Sequence, residues 1–383
     1  MQARKLLSLC ILATLVSSCS DAKEPTVKTE LASENGNAQY CTVGSEALTL
    51  DIGNITLERV SDIPLNYEGF NNVEGPVWHD GALYYSNIGA LAPDENGFVL
   101  SNQTTIWRWQ PGQAPKVWLD DTIAGTNGLA VDFNGNLIAV RHSDGSVSKI
   151  DWQSKEVELI AGEYEDKRFN SPNDLTVAFD GTIYFTDPNW DTPSNVDRAI
   201  TQGGGAPGTE EVGQRIYRVN PEGQLNATAA TELVPALRDK PNGIMLSLNQ
   251  NRLFVAGLKG LWSFTLDHGH LSNPKQILTT AVDGMGKDCA GNLYVTTTRE
   301  LAERKDGQVV VVLDRNDAEV GQIEVPGIHI VTNVAFGGDD GKTLFITALT
   351  DPMDGDVPRM CGAKECLRAG IYTALVNVPG FPN

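Results

Sequence analysis

Residues 170–188 read NSPNDLTVAFDGTIYFTDP, in which an Asn-Asp pair precedes an apolar strand, a Gly turn and a second strand. A single pair of this kind is ordinary turn chemistry, because Asn and Asp side chains bond to nearby backbone at strand ends. The arrangement becomes informative because it recurs. Counting Asn173 of this stretch, six lead residues each precede a strand: Glu74 in EGPVW, Asn127 in NGLAV, Asn173 in NDLTV, Asn242 in NGIML, Asp283 in DGMGK and Asn333 in NVAFG.

The copies recur at intervals of mostly about 40 to 50 residues, a period typical of β-propeller blades built from short strands. In four copies a glycine lies eight residues after the lead residue, where it marks the turn to the next strand. These glycines are Gly135, Gly181, Gly291 and Gly341, whereas the first copy shortens the spacing to Gly81 and the fourth has Gln250 in that place. With 38 glycines and 19 prolines in 383 residues and little helical periodicity, the sequence predicts an all-β, six-bladed β-propeller over residues 46–383.

The N-terminus carries a separate signal. Arg4 and Lys5 precede a short apolar run that ends in VSSC at Cys19. The run is too short to span a membrane and is typical of a secretory signal peptide over residues 1–18. VSSC resembles the bacterial lipobox, so we expect lipidation of Cys19 as the first mature residue, then a flexible tether over residues 19–45. The expected location is the bacterial cell envelope, either lipid-anchored or periplasmic, and an ordinary cleaved signal with a soluble product is the alternative.

Export implies an oxidising compartment, in which cysteines pair. Cys361 and Cys366, in MCGAKEC, are expected to close a small surface loop. Cys289 lies in a strand copy, where a buried inert thiol is the expected state. The sequence leaves the pairing of Cys41 and Cys289 open, since four cysteines allow three connectivities.

The charge balance limits the partners. With 29 Lys and Arg against 49 Asp and Glu, the formal net charge is −20. Nucleic-acid phosphates and anionic lipid headgroups would be repelled, so we expect no nucleic-acid binding and membrane contact only through the N-terminal lipid anchor. The same charge is compatible with a bound divalent cation.

The six lead residues hold equivalent positions in the predicted blades, so their side chains should converge at one end of the central channel. All six carry an oxygen, and two are carboxylates. Ca²⁺ prefers six to eight oxygen ligands of these kinds, and two negative charges would balance it. The alternative is that these side chains only tie neighbouring blades together, although Asx-turn chemistry does not explain Glu74.

The motifs EGPVW, SPNDL with YFTDP, KPNG, VDGM and NVAFGG with TLFITA resemble the regucalcin (senescence marker protein) and gluconolactonase family of six-bladed propellers. The resemblance runs from about residue 60 to the C-terminus and involves every blade. It implies a calcium- or zinc-dependent lactonase in which Glu74, Asn242 and Asp283 ligate the metal. Asn173 matches a fourth oxygen that ligates the ion or orients the substrate. Ser171 stands where regucalcin has a substrate-binding Arg, which leaves recognition of a sugar acid open.

The resemblance implies a metal-dependent carboxylic-ester hydrolase that opens a sugar or other small lactone by attack of metal-activated water. One divalent ion is expected, Ca²⁺ first, with Zn²⁺, Mn²⁺ or Mg²⁺ as alternatives. Asp283 is the candidate general base, and the resemblance also allows it to act as nucleophile. Candidate substrate-binding residues are Asn173, Asn127, Asn333 and His142, the last with a purely structural role as its alternative.

We expect a monomer whose substrate is a small-molecule lactone. Two other functions fit the same sequence. One is organophosphate hydrolysis, because a diisopropyl-fluorophosphatase shares the architecture and metal site. The other is a non-catalytic binding propeller of the envelope, because a fold does not fix a function.

Overall fold

The computed structural model describes residues 41, 50–51, 55, 57–62, 71–89, 103–119, 125–142, 144–189, 213–300, 307–328, 330–350 and 368–381. Within these residues, six four-stranded antiparallel sheets and one two-stranded ribbon are formed. The innermost strands of successive sheets contact one another in a closed circle. The predicted six-bladed, all-β propeller is therefore confirmed.

The strands follow one another in blade order. Before the first blade comes β1 (Leu57–Asp62). Blade 1 contains β2 (Asn71–His79), β3 (Ala82–Gly89), β4 (Gln103–Trp109) and β5 (Lys116–Leu119). Blade 2 contains β6 (Thr126–Val131), β7 (Leu137–Arg141), β8 (Ser146–Ile150) and β9 (Val157–Ala161), and is followed by a ribbon of β10 (Glu163–Tyr164) and β11 (Lys167–Arg168). Blade 3 contains β12 (Leu175–Val177), β13 (Ile183–Asp187), β14 (Arg215–Val219) and β15 (Leu225–Ala227).

The second half repeats the pattern. Blade 4 contains β16 (Pro241–Leu246), β17 (Arg252–Gly257), β18 (Gly260–Asp267) and β19 (His270–Leu278). Blade 5 contains β20 (Val282–Lys287), β21 (Leu293–Glu300), β22 (Gly307–Leu313) and β23 (Glu319–Pro326). Blade 6 contains β24 (Ile330–Gly337), β25 (Thr343–Thr350) and β26 (Arg368–Leu375), and its fourth strand is β1. The ring thus closes by pairing of the N-terminal strand with β26.

The turn glycines named above adopt the backbone conformation that their spacing implied. Gly135, Gly181 and Gly291 have φ of 82°, 86° and 83°, a region that an L-residue with a side chain seldom enters. In the fourth copy Gln250 takes the same conformation with φ of 56°. Its side chain Oε1 accepts a hydrogen bond from the backbone N–H of Phe179 at 3.0 Å, which helps to hold the turn of blade 3 against that of blade 4.

Each blade is covered on both faces by its neighbours, so its second strand is largely buried. Every residue of β7 and β13 is buried. Phe169, Phe185 and Tyr217 fill one of the interfaces between blades 2 and 3, with ring centroids of Phe169 and Tyr217 4.9 Å apart. This packing between blades is the core that holds the inner strands around the channel.

Helical structure is minor. A one-turn helix α1 (Ala230–Leu233) and a 3-10 helix (Pro235–Arg238) connect blades 3 and 4. In the part of the chain that the structure describes, no helix has the length and apolar character needed to cross a membrane.

One end of the channel, here named the closed end, is filled by apolar side chains from the far ends of the inner strands. Phe133, Phe179, Leu248 and Cys289 each lie six residues after a lead residue, and Phe381 of the C-terminal segment packs among them. The rings of Phe133 and Phe179 are 4.7 Å apart, and that of Phe381 lies 6.3 Å and 6.1 Å from them. The lead residues lie at the opposite end of the channel, here named the open end.

A disulfide joins Cys41 to Cys289 at this closed end, with the two Cα atoms 5.6 Å apart. The expectation of an inert Cys289 thiol was therefore wrong. The same region is fixed by backbone hydrogen bonds from Cys289 N–H to the Pro379 carbonyl at 2.8 Å and from Phe381 N–H to the Lys287 carbonyl at 2.9 Å. The predicted signal peptide, Cys19, the tether except Cys41, and the Cys361–Cys366 pair lie outside the described residues.

Candidate active site

The lead residues occupy irregularities of the inner strands. The register of β2 against β3 shifts between Glu74 and Val77, and the register of β20 against β21 shifts between Val282 and Met285. The register also shifts around Asn127 in β6 and Asn242 in β16, and immediately before Asn333 in β24. A β-bulge changes the direction of the side chain at the bulged position. These irregularities therefore orient the lead side chains away from the plane of the blade.

The glycines that follow the lead residues bring neighbouring blades into direct contact. A Cβ atom on Gly75 would overlap the carbonyl oxygen of Asn127, and one on Gly243 would overlap that of Asp283. A Cβ on Gly128 would lie 2.9 Å from the carbonyl oxygen of Asn173. Only glycine permits this approach. Lead residues of adjacent blades are therefore immediate neighbours, as the sequence predicted.

Hydroxyl groups on the second strands fix the lead residues of the next blade. Ser86 Oγ donates to the carbonyl of Asn127 at 2.7 Å, and Thr186 Oγ1 donates to that of Asn242 at 2.7 Å. On the innermost strand of blade 6, Thr332 Oγ1 donates at 2.6 Å to the carbonyl of Val73, the residue before Glu74, and so links blade 6 to blade 1. The sequence analysis did not identify these hydroxyl-bearing residues. A signal was present, because YYS in β3 and YFT in β13 place Ser86 and Thr186 at equivalent positions of their strands.

Three carboxyl groups meet at this end of the channel. Burial, and then repulsion from Asp283 and Asp174, raises the pKa of Glu74 well above its usual range. Burial and then the charge of Asp174 raise the pKa of Asp283 in the same way. Burial raises the pKa of Asp174 to about 7, although Leu175 N–H donates to its Oδ1 at 2.9 Å and Ile244 N–H to its Oδ2 at 3.3 Å. Asp174 was not among the predicted site residues, because an Asp beside a lead Asn reads as turn chemistry.

In the described part of the chain, the two aspartates of this cluster have no basic side chain as a counterion. Within the described residues, no lysine or arginine lowers the pKa of Asp174 or Asp283. The side chain of Asn242 donates to Asp283 and that of Asn72 donates to Glu74, so both carboxylates are oriented by amides rather than neutralised. Buried carboxylates that lie close together destabilise the folded protein unless a cation binds between them.

The donor set fits a hard cation. Among the residues described, no three His, Cys, Asp or Glu side chains are placed to hold a metal ion by themselves. Amide oxygens therefore have to complete a site built on Glu74 and Asp283, and Asn173 and Asn242 are the neighbours that offer them. Carboxylate and amide oxygens without sulfur suit Ca²⁺ better than a soft metal.

The remaining predicted site residues have separate environments. The amide Nδ2 of Asn127 lies 3.0 Å from Nε2 of His142, and both side chains are buried. Asn333 Oδ1 accepts a hydrogen bond from the backbone N–H of Val334 at 2.9 Å, so its oxygen is already engaged within its own strand.

Ser171 does not face the site. It is fully buried, and its Oγ donates to the Pro188 carbonyl at 2.6 Å. Asp187 holds the same loop by accepting hydrogen bonds from the backbone N–H groups of Asn170 and Ser171, both at 3.0 Å. Ser171 and Asp187 thus fix the backbone that leads into Asn173.

Comparison with known proteins places the chain among six-bladed propellers of one family. The family model described as SMP-30/Gluconolactonase/LRE-like region matches residues 73–350. The chain is 23% identical over 344 residues to a gluconolactonase of Zymomonas mobilis, covering 80% of this chain and 88% of that protein. Among solved structures, a gluconolactonase from Xanthomonas campestris superposes with a TM-score of 0.60 at 24% identity, covering 88% of this chain and 94% of the other. Regucalcin from Agrobacterium tumefaciens, described as a calcium-binding protein, gives a TM-score of 0.53 at 16% identity, covering 83% and 96%.

Proposed function

Because the chain belongs to the SMP-30/gluconolactonase/LRE-like family, we propose that it is a metal-dependent hydrolase that opens a small lactone. The observation that carries the proposal is the meeting of Glu74, Asp174 and Asp283 at one end of the channel, without a lysine or arginine that lowers the pKa of either aspartate. A surface that only bound a partner would have no need of such a cluster.

Glu74, Asn173, Asn242 and Asp283 would hold one divalent cation, with Ca²⁺ favoured by the all-oxygen donor set. A cation there supplies positive charge that stabilises the negative charge developing on a lactone carbonyl oxygen. The relative described as calcium-binding supports the choice of metal.

The chain's own groups carry the proton transfer. Asp283 is our candidate general base for the attacking water, because its carboxylate would lie beside the cation that activates that water. The donated hydrogen bond from Asn242 fixes the orientation of that carboxylate. The apolar closed end leaves the channel with one mouth, so substrate and water approach from the same side.

We also propose that the protein is exported and held at the cell envelope through Cys19. The Cys41–Cys289 disulfide supports export, since such bonds persist in oxidising compartments.

The test is lactone hydrolysis after chelation and after readdition of Ca²⁺, Zn²⁺, Mn²⁺ or Mg²⁺, with metal content measured on the same preparations. We expect chelation to abolish hydrolysis and one ion to restore it. Asp283→Asn should lower kcat by at least about a hundredfold, because it removes the base and a ligand charge. Asp314→Asn, the same change in an exposed turn of blade 5, is the matched control and should behave as wild type. Hydrolysis that survives complete removal of metal, or full activity of Asp283→Asn, would refute the proposal.

A further inference from the structure

Asn127 and His142 form a buried pair in the wall of the channel. They are 4% and 8% exposed, and the Asn127 Nδ2 to His142 Nε2 distance is 3.0 Å. Because an amide nitrogen only donates, Nε2 of His142 is the acceptor in this pair. The backbone N–H of His142 donates to the Gly125 carbonyl at 2.6 Å, which ties the end of β7 to the residue before β6.

The backbone of Asn127 is fixed from both sides of the ring. Its carbonyl accepts the hydroxyl of Ser86 in blade 1 at 2.7 Å, and the next backbone N–H, of Gly128, donates to the Asn173 carbonyl at 2.8 Å. Asn127 therefore lies between Glu74 and Asn173, next to the residues that would hold the cation. With backbone and Nδ2 both held, the remaining freedom of the side chain is lost.

The other half of the amide is left for a ligand. Within the described part of the chain, the hydrogen bond of the Asn127 side chain is that of Nδ2 to His142. Oδ1 is not among the buried polar atoms that lack a partner, so it remains accessible. A carbonyl oxygen that is fixed in place and still accessible can accept a hydrogen bond from a bound ligand. A lactone that carries ring hydroxyls would supply O–H donors, whereas an unsubstituted lactone would not.

We propose that His142 is a positioning residue that fixes the Asn127 amide, so that Oδ1 accepts a hydrogen bond from a hydroxyl of the substrate and selects polyhydroxy lactones. This inference rests on the proposed lactonase function and deepens it. His142 itself need not touch the substrate. A site built around a substrate hydroxyl rejects analogues that lack it, because its own polar group then stays unpaired.

The experiment compares D-glucono-1,5-lactone with δ-valerolactone, each corrected for spontaneous hydrolysis. Wild type should favour the hydroxylated lactone. His142→Leu, which keeps bulk but removes the acceptor, should lower the kcat/KM ratio of the two lactones by at least about tenfold, mainly through KM for the hydroxylated one. His142→Gln offers an amide oxygen to Asn127 Nδ2 and should restore most of the ratio.

Matched controls separate positioning from general damage. His79→Leu changes a half-buried His that stacks on Trp152 far from the lead residues, and should leave the ratio unchanged. Asn127→Leu should lower the ratio as His142→Leu does, and the double variant should lose no more than Asn127→Leu alone. Bound metal should remain at the wild-type level in all these variants.

The outcomes are distinguishable. If wild type hydrolyses neither lactone, the proposed function fails and this inference fails with it. If wild type is active but His142→Leu keeps the wild-type ratio, or if the two substitutions act additively, the positioning role is refuted while the lactonase stands. An equal loss with both lactones, without rescue by His142→Gln, would assign His142 a structural role only and would also overturn the inference.

Discussion

Glu74, Asp174 and Asp283 repel one another at the open end of the channel, and burial strips much of the hydration that would otherwise support their charge. Each of the three therefore binds a proton more readily in the folded protein than in the unfolded chain. Two of the three could be predicted from the repeat, because they occupy lead positions. Asp174 could not be predicted in this way. Its carboxylate is held by a hydrogen bond from the backbone N–H of Ile244 in the next blade, and no local pattern shows that contact.

This arrangement predicts how the metal-free protein responds to pH. Carboxyls that have a pKa near 4 when unfolded and about 7 when folded, as for Asp174, bind more protons in the folded state between those values. The free energy of unfolding should then fall as pH rises from about 4 to about 7. Asp187, whose pKa burial also raises to about 7, adds to the same trend. Lys287 opposes it only above about 7, because burial lowers its pKa to about 7.

We therefore expect the thermal midpoint of chelator-treated protein to be higher at pH 5 than at pH 7, and Ca²⁺ to raise it far more at pH 7 than at pH 5. The cation binds the ionised carboxylates and so offsets their repulsion. Scanning calorimetry at several pH values, with chelator or with Ca²⁺, checks both statements. Asp283→Asn should flatten the pH dependence of the metal-free protein. A midpoint that rises between pH 5 and 7 in chelator would contradict this account of the cluster.

At the scale of elements, the site depends on how each second strand holds the inner strand of the next blade. Thr186 in β13 shows the connection: its hydroxyl donates to Asn242 in β16 and accepts from the backbone N–H of Asp174 at 3.2 Å. The sequence predicted the inner strands and their turns, since short apolar runs and glycine spacing are local properties. It did not predict these bonds, because Thr in a strand is equally explained by β-propensity.

Thr186→Val should test the connection, since it keeps the shape of the side chain and removes both hydrogen bonds. Leaving the Asn242 carbonyl and the Asp174 N–H unpaired should cost roughly 1–3 kcal/mol of stability. It should also weaken metal binding, because Asn242 and Asp283 lose their fixed relation. Chemical denaturation and metal titration measure the two effects.

Thr186→Ser restores the hydroxyl and should recover most of both losses. Thr176→Val changes another buried threonine of blade 3 and serves as control, with metal affinity at the wild-type level. If Thr186→Val and Thr176→Val bind metal equally well, the bond across the blades does not position the site.

The whole molecule has two unlike ends. The open end gathers carboxylates and amides, and the closed end gathers Phe133, Phe179 and Phe381 beside a disulfide. The number of blades followed from the repeat, because six copies of one motif have to form one ring. The content of the closed end did not follow, because Cys41 is 248 positions from Cys289 and Phe381 follows the last repeat. The contacts of Cys41 and Phe381 with the ring form only when the propeller closes, so no local sequence pattern predicts them.

The disulfide should stabilise the ring without taking part in the chemistry. Cys289 lies six residues beyond Asp283 along the inner strand, a separation of about 20 Å at about 3.3 Å per residue. A bond that closes a loop of 248 residues restricts the unfolded chain strongly, and the chain-entropy relation gives an upper figure of about 5 kcal/mol. We therefore expect Cys41→Ala/Cys289→Ala to lower the thermal midpoint markedly, while metal content and lactone turnover at 25 °C stay near wild type.

Reduction with a phosphine should lower the midpoint of wild type toward that of the double variant and should leave the variant unchanged, which separates loss of the bond from loss of packing by the two side chains. Measuring turnover and metal content on the same samples, well below the midpoint, tests whether the two ends are independent. If breaking the bond releases the metal or stops hydrolysis at that temperature, the closed end and the carboxylate cluster are coupled through the inner strand β20, and the separation of stability from chemistry along the channel is refuted.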